Sequence, residues 1–199
     1  MIKSAMPVYR LRTLPGDLGV ALVTLIALGL GWLLMAQTTG RTRPYVEPDA
    51  GLRLNYPAGW ISVDSLQDLL LKVEDPQTDS AFKTALSVER HDLDPASPPT
   101  LQTLLDRRVQ EHAHLTGYHL LADGEATVAG QRAILLEYAY VVQPIDAPRR
   151  ASLPVVVRAR EYLLITKDRS YYLSIAAPEG GFAQASAQFE RIAQSLVLP

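Results

Sequence analysis

The longest apolar stretch of the chain runs from Leu18 to Ala36 and contains no charged residue. A helix of this length spans about 28 Å, close to the roughly 30 Å hydrocarbon core of a bilayer. Such a helix also satisfies all of its backbone hydrogen bonds within lipid. We therefore predict a transmembrane helix at residues 18–36, with the anchor residues Leu18, Leu22, Leu25, Ile26, Leu30, Trp32 and Leu33.

Two other interpretations of this stretch remain open. A cleaved signal peptide needs small residues at −3 and −1 of the cut site, and a cut after Ala36 would place Leu34 at −3. A buried core helix normally carries a polar face, which this stretch lacks. Both alternatives therefore fit the pattern less well than an uncleaved anchor.

The distribution of basic residues predicts the orientation of the anchor. The short basic segment 1–17 contains Lys3, Arg10 and Arg12, whereas Arg41 and Arg43 follow the apolar stretch. Cytoplasmic flanks carry the excess of Lys and Arg. We expect a single-pass protein of the cell membrane, in contact with membrane lipid, with a cytoplasmic N-terminus and an extracytoplasmic C-terminal domain.

The polar segment 37–50 contains Pro44 and Pro48, which oppose regular helix, and it is predicted to be a linker. The remaining residues, 51–199, alternate between strand-like and helix-like patterns. Thr100 is a suitable N-cap and Gly117 a suitable helix end. The predicted helices lie at 100–116 and 182–196, and the predicted strands at 52–57, 60–63, 69–73, 84–89, 118–128, 131–142, 154–167 and 170–177.

Short connections between the last four strands exclude parallel pairing there, because parallel strands need long crossovers. The predicted fold class is α+β, with an antiparallel sheet and two or more packed helices.

Three motifs in this pattern resemble the PsbP-like superfamily, whose fold is shared by the Mog-type Ran-binding proteins. They are the strand–turn–strand at 54–60 with Pro57, Gly59 and Trp60, the hairpin strand at 171–175, and the closing helix with Phe189. The resemblance covers residues 51–199 and implies an αβα sandwich. It also implies an accessory or assembly protein of a membrane complex, extracytoplasmic and often anchored. The family offers no catalytic motif to transfer to these positions.

Composition narrows the functional classes. Residues 44–199 carry 14 basic and 20 acidic side chains, and a mildly acidic domain repels phosphate backbones, so nucleic acid is not an expected partner. The chain has no cysteine, which removes disulfides, thiol nucleophiles and Cys-ligated zinc. No serine lies in a G-x-S-x-G motif. His112 and His114 point in different directions on a helix, so we interpret them as solvated residues rather than a metal site.

Arginines mark two candidate partner surfaces. On a strand, Arg158, Arg160 and Tyr162 share one face, and Glu161 lies on the other. Antiparallel pairing could place Glu137 opposite an arginine or lysine. Such a pair is either structural or part of a partner surface. The loop 143–152 carries Arg149 and Arg150 and is the second candidate.

The leading hypothesis is a non-catalytic accessory subunit or assembly factor of a respiratory or photosynthetic type of integral membrane protein complex. The alternative is an extracytoplasmic module that binds a small molecule or lipid in the crevice between sheet and helix. A hydrolase or metalloprotein is a weaker third hypothesis. No catalytic, metal-binding or cofactor-binding residue is expected.

Overall fold

The structure is a computed structural model that describes residues 15–49, 51–63, 69–143 and 153–199. The chain divides into two units between Arg41 and Thr42. Among the described residues, the first unit contains one helix, and the second contains two sheets and two further α-helices.

Helix α1, Pro15–Thr39, forms the described part of the first unit. Proline is well suited to the first helical turn, since it has no N–H and its φ is already helical. Side chains are described for residues 19–33, and all of them are exposed. The helix contains the whole predicted span 18–36. Among the helices of the described residues, none combines the length and the hydropathy that crossing a membrane requires.

The described residues of the second unit form nine strands, most of them close to their predicted positions. They are β1 (Thr42–Glu47), β2 (Leu52–Pro57), β3 (Ile61–Ser62), β4 (Leu69–Glu74), β5 (Ala85–Asp92), β6 (His119–Val128), β7 (Gln131–Val142), β8 (Val155–Ile165) and β9 (Arg169–Pro178). The helices are α2 (Leu101–His112) and α3 (Phe182–Gln194), and a 3-10 turn at Glu179–Gly181 precedes α3.

Strand β1 changes the interpretation of the predicted linker. It pairs antiparallel with β2 in a two-stranded sheet, so the folded unit begins at Thr42 and not near Gly51. Pro44 excludes helix at this position, but a strand at the edge of a sheet tolerates proline. The prolines were therefore evidence against a helix and not against a strand.

The other strands form an antiparallel sheet in the order β3-β4-β5-β9-β8-β7-β6. One face of this sheet packs against α3 and β2, through residues such as Leu54, Leu173 and Phe189. The other face packs against α2, through residues such as Leu104 and Leu136. The sheet is therefore covered on both faces, as the predicted sandwich requires.

Local sequence explains the ends of α2. The Thr100 hydroxyl accepts the Thr103 N–H at 3.1 Å, which is the predicted N-cap. The helix ends at His112, four residues earlier than predicted, because the chain turns to meet the sheet, where the Val141 N–H donates to the Thr116 carbonyl at 2.8 Å. Gly117 lies in this turn with φ +64°, a conformation that favours glycine.

Candidate functional site

Each face of the sheet carries one charge cluster. The α2-face cluster consists of Glu161, Arg108, His112 and Glu89. The α3-face cluster consists of Glu137, Arg158, Arg160, Glu179 and Glu190. Alternation along β8 produces this division, because Glu161 points to one face and the two arginines point to the other.

The α2-face cluster is centred on a carboxylate with no solvent exposure. The Glu161 side chain is 0% exposed. The Arg108 Nε and Nη2 atoms both donate to Glu161 Oε1, at 2.9 and 2.7 Å, and Nη2 also donates to Glu89 at 3.0 Å. His112 Nε2 donates to Glu161 Oε2 at 3.2 Å. Glu161 thus joins α2 to the middle of the sheet.

Aromatic rings pack against this cluster, in which only Glu161 is fully buried. The imidazole of His112 stacks on Tyr138 with a centroid distance of 4.4 Å, and the guanidinium of Arg108 lies 4.7 Å from the centroid of Tyr172. Burial, assisted by the charge of Glu161, raises the pKa of Tyr138 well above its ordinary value. Inside such surroundings an ion pair is stronger, and an unpaired charge costs more, than in water.

The partners of Glu161 decide its protonation state. Burial alone would raise the pKa of this carboxyl, but the hydrogen bond from His112 and the charge of Arg108 outweigh burial and hold the pKa below its ordinary value of 4.5. Glu161 is therefore ionised at neutral pH.

We expect acid to destabilise the protein partly through Glu161. A carboxyl with a lowered folded-state pKa contributes stability that is present above its unfolded pKa of 4.5 and is lost as pH falls through the folded value. The free energy of unfolding should therefore fall with acidification more steeply in the wild type than in Glu161→Gln. Urea unfolding between pH 7 and pH 3 measures the two slopes, and equal slopes would contradict this assignment.

The α3-face cluster contains the arginines that the sequence singled out. Glu137 lies opposite Arg160 in the β7–β8 register, as antiparallel pairing predicted. Arg160 donates to Glu137 at 2.9 and 3.1 Å, and Arg158 donates to the other oxygen of the same carboxylate. Both arginines lie over the ring of Phe182, at 4.5 and 5.9 Å. They bond outward to Glu179 and Glu190 at 3.2 and 2.8 Å.

The structure describes only some of the other residues that the sequence singled out. Arg149 and Arg150 lie outside the described residues. Six anchor residues are exposed in α1, and Leu18 belongs to the same helix although its side chain is outside the described part. The interpretation of His112 as solvated was wrong. His112 lies four residues after Arg108, on the face of α2 that packs on the sheet. Within the described residues, no three histidine or acidic side chains are placed to hold a metal ion.

A groove lies between the start of α2 and the outer strands β6 and β7. Its volume is about 400 Å³. Leu101, Leu105 and Ile134 form apolar walls, and Asp123 and Glu125 contribute carboxylates. This is the crevice between sheet and helix that the second hypothesis requires.

Comparison with solved structures identifies the fold. The solution structure of cyanobacterial PsbP (CyanoP) from Synechocystis sp. PCC 6803 matches with a TM-score of 0.56 and 16% identity, over 79% of this chain and 92% of CyanoP. LpqN of Mycobacterium tuberculosis matches with a TM-score of 0.55 and 16% identity, over 80% and 91% of the two chains.

This chain has the PsbP-like fold. A protein of unknown function from Pseudomonas aeruginosa, PA94, matches with a TM-score of 0.53 and 16% identity, over 80% of this chain and 99% of PA94. No model of a protein family and no curated protein matches the sequence. The predicted resemblance is thus confirmed at the level of the fold.

Proposed function

We propose that this chain is a non-catalytic accessory subunit or assembly factor of a larger membrane protein complex, held at the membrane by α1 with its PsbP-like domain on the extracytoplasmic side. The observation that carries the proposal is the surface of α1. Its side chains at 19–33 are apolar apart from Thr24, and all are exposed; Trp32, for example, is 73% exposed. In water such a surface would need a partner, whereas in lipid it is already solvated.

The chain between the two units supports a tethered arrangement. Only Gly40 and Arg41 separate the end of α1 from β1, so the proposal keeps the folded domain within a few residues of the bilayer. LpqN of Mycobacterium tuberculosis, which has the same fold, is involved in cell envelope biogenesis. An envelope location for the present domain agrees with that role.

The charge clusters support a structural role for the domain. In both, the central carboxylate is bonded to arginine, and in the α2-face cluster to histidine as well. These bonds stabilise the packing of α2 against the sheet and link β7 to β8 beside the start of α3. A rigid domain of this kind suits a protein that presents a surface to a partner.

The orientation can be tested with single cysteines, because the chain has none. Ser97 is exposed in the turn before α2, and Ser4 precedes α1 in the sequence. We expect a membrane-impermeant maleimide to label Ser97→Cys in intact cells and to label Ser4→Cys only after lysis. The reverse labelling pattern would place the domain in the cytoplasm. Extraction of the protein from membranes by alkaline carbonate would show that α1 does not span the bilayer and would contradict the proposed anchor.

Association with a complex can be tested through the α3-face arginines. The triple change Arg158→Gln, Arg160→Gln and Glu137→Gln removes both cations without leaving a buried carboxylate unpaired, so we expect stability to change by no more than about 1–2 kcal/mol. We expect the wild type, solubilised in mild detergent, to migrate with membrane proteins on a native gel. The triple variant should lose roughly tenfold or more of that association, since arginines often dominate interfaces.

The matched control is Arg107→Gln, which removes an exposed arginine of α2, on the other face of the sheet. A wild-type protein that migrates alone would overturn the accessory role. Retention of the partner by the triple variant would preserve that role and exclude these arginines from the interface.

The groove of about 400 Å³ favours one alternative function, binding of a small molecule or lipid. Its volume falls within the range of ligand pockets, and its lining combines the apolar side chains of Leu101, Leu105 and Ile134 with polar and charged ones. Mass spectrometry of a solvent extract of the purified protein tests this alternative. A stoichiometric apolar compound, lost when Leu105→Trp fills the groove, would support it.

A further inference from the structure

In the part of the chain that the structure describes, strand β6 lies at one edge of the seven-stranded sheet. It has ten residues and, within the described part of the chain, pairs only with β7. The opposite edge, β3, has two residues. Natural edges are usually protected by charged side chains, especially lysine, by proline, by a bulge or by short length. A bulge interrupts β6 at Leu120–Ala122, but 122–128 pair regularly and contain no basic residue or proline.

Acidic side chains alternate along this regular segment. Asp123 and Glu125 pair with Leu136 and Ile134, so they lie on the face covered by α2 and border the groove. The Asp123 side chain makes no hydrogen bond or ion pair with the residues that the structure describes, although its backbone pairs with β7. Glu125 bonds to Arg132 at 3.0 Å, but these side chains are 83% and 80% exposed. An ion pair so exposed contributes little and exchanges partners easily.

The opposite face of the same segment has open space. Gly124 and Ala126 pair with Leu135 and Ala133, residues of the core on the α3 side. A Cβ added at Gly124 would meet no atom within 4 Å. An adjoining strand could therefore place a bulky apolar side chain beside Gly124, an arrangement that compensates for glycine in a sheet.

We propose that β6 binds an extended segment of a partner protein as an additional antiparallel strand, in which lysine or arginine alternates with bulky apolar residues. The basic side chains face Asp123 and Glu125, and the apolar side chains cover Gly124 and Ala126. Main-chain hydrogen bonds to the open edge supply affinity, and alternate side chains supply specificity. This inference deepens the proposed function, on which it rests, by naming the chemistry of the partner segment.

The charges on β6 argue against a second copy of the chain as the occupant. Antiparallel pairing of two β6 strands about Gly124 would place Asp123 of each copy opposite Glu125 of the other. Like charges directly opposite each other destabilise a sheet. A basic segment from a different protein removes that repulsion and neutralises both carboxylates.

Labelled peptides test the proposal on the full-length protein in mild detergent. The probe is the fluorescent peptide KVKFKVK, and two control peptides replace its lysines with glutamate or carry N-methyl groups on alternate residues. We expect KVKFKVK to bind, and both controls to bind at least tenfold more weakly. Weakening by N-methylation distinguishes strand addition from simple charge attraction.

Two charge-reversal variants complete the test. Asp123→Lys should weaken binding of KVKFKVK at least tenfold, whereas Asp168→Lys, an equal charge change at the exposed β8–β9 turn, should not. Equal binding of the N-methylated peptide, or equal weakening by both variants, would overturn the proposal. A wild-type homodimer that excludes the peptide would assign the edge to a second copy and would also overturn it.

The peptide assay and the native gel fail independently. If the wild-type protein binds KVKFKVK but migrates alone on the native gel, the strand-binding proposal is supported and the accessory role is contradicted. If it migrates with a complex but does not bind the peptide, only the strand-binding proposal is contradicted.

Discussion

Arg108→Ala should lower the free energy of unfolding by about 3–5 kcal/mol, because it leaves a buried carboxylate without its main counter-charge. Glu161 is 0% exposed and accepts two of its bonds from the Arg108 guanidinium. His112 bonds only to the other oxygen. Urea unfolding followed by near-ultraviolet circular dichroism measures the change.

Arg132→Ala is the matched control for this substitution. It also removes an arginine bonded to a glutamate, at 3.0 Å, but both side chains are more than three-quarters exposed. We expect a change within about 1 kcal/mol, as for other exposed pairs. Equal losses of unfolding free energy in Arg108→Ala and Arg132→Ala would show that the burial of Glu161 does not determine how much its ion pair matters for stability.

Replacing both Arg108 and Glu161 distinguishes two contributions to the free energy of unfolding. One is the penalty for an unpaired buried charge, and the other is the net stabilisation from the ion pair. In Arg108→Met with Glu161→Met, apolar side chains of similar length replace the buried ions. Buried pairs replaced in this way are often close to neutral in stability. We therefore expect the double variant to be at least about 2 kcal/mol more stable than Arg108→Ala.

Phe189→Ala should also cost about 3–5 kcal/mol, since it removes a large apolar side chain from the core and leaves a cavity. Phe189 is fully buried on α3 and stacks on Tyr162 with a centroid distance of 5.2 Å. Its loss weakens the packing of α3 on the sheet, which we expect to appear as a lower urea midpoint.

Gln184→Ala is the control on the same helix. Gln184 is exposed, and alanine has a slightly better helix propensity, so we expect stability to change by less than about 0.5 kcal/mol. A small effect of Phe189→Ala, similar to that of the control, would contradict the packing of α3 described above.

Much of the fold could be predicted because strands and helices leave periodic patterns. The β6–β7 and β8–β9 hairpins were predicted from alternation and from turn residues such as Ala129-Gly130, both of which have positive φ. Antiparallel pairing of β7 with β8 also predicted that Glu137 could lie opposite an arginine or lysine, and in the structure it lies opposite Arg160.

The bond between Arg108 and Glu161 was not predictable by that reasoning. The two residues are 53 positions apart, on a helix and on a strand of the sheet beneath it. A sequence pattern shows which face of each element is apolar, but it does not show where along the sheet the helix is placed. The one available signal was a charged residue, Glu161, at an inward position of an apolar strand.

The sequence alone determined the local features of this protein: the apolar helix, the order of the strands along the chain, the caps and turns, and the pairing within hairpins. These depend on side chains within a few residues of one another or on neighbouring strands. The tertiary structure decided that β1 joins the folded unit, that β9 lies between β5 and β8, that α2 covers Glu161, and that β6 remains at the edge. Those features depend on which arrangement of elements distant in the sequence buries their apolar faces in a common core. A local sequence pattern does not specify that arrangement.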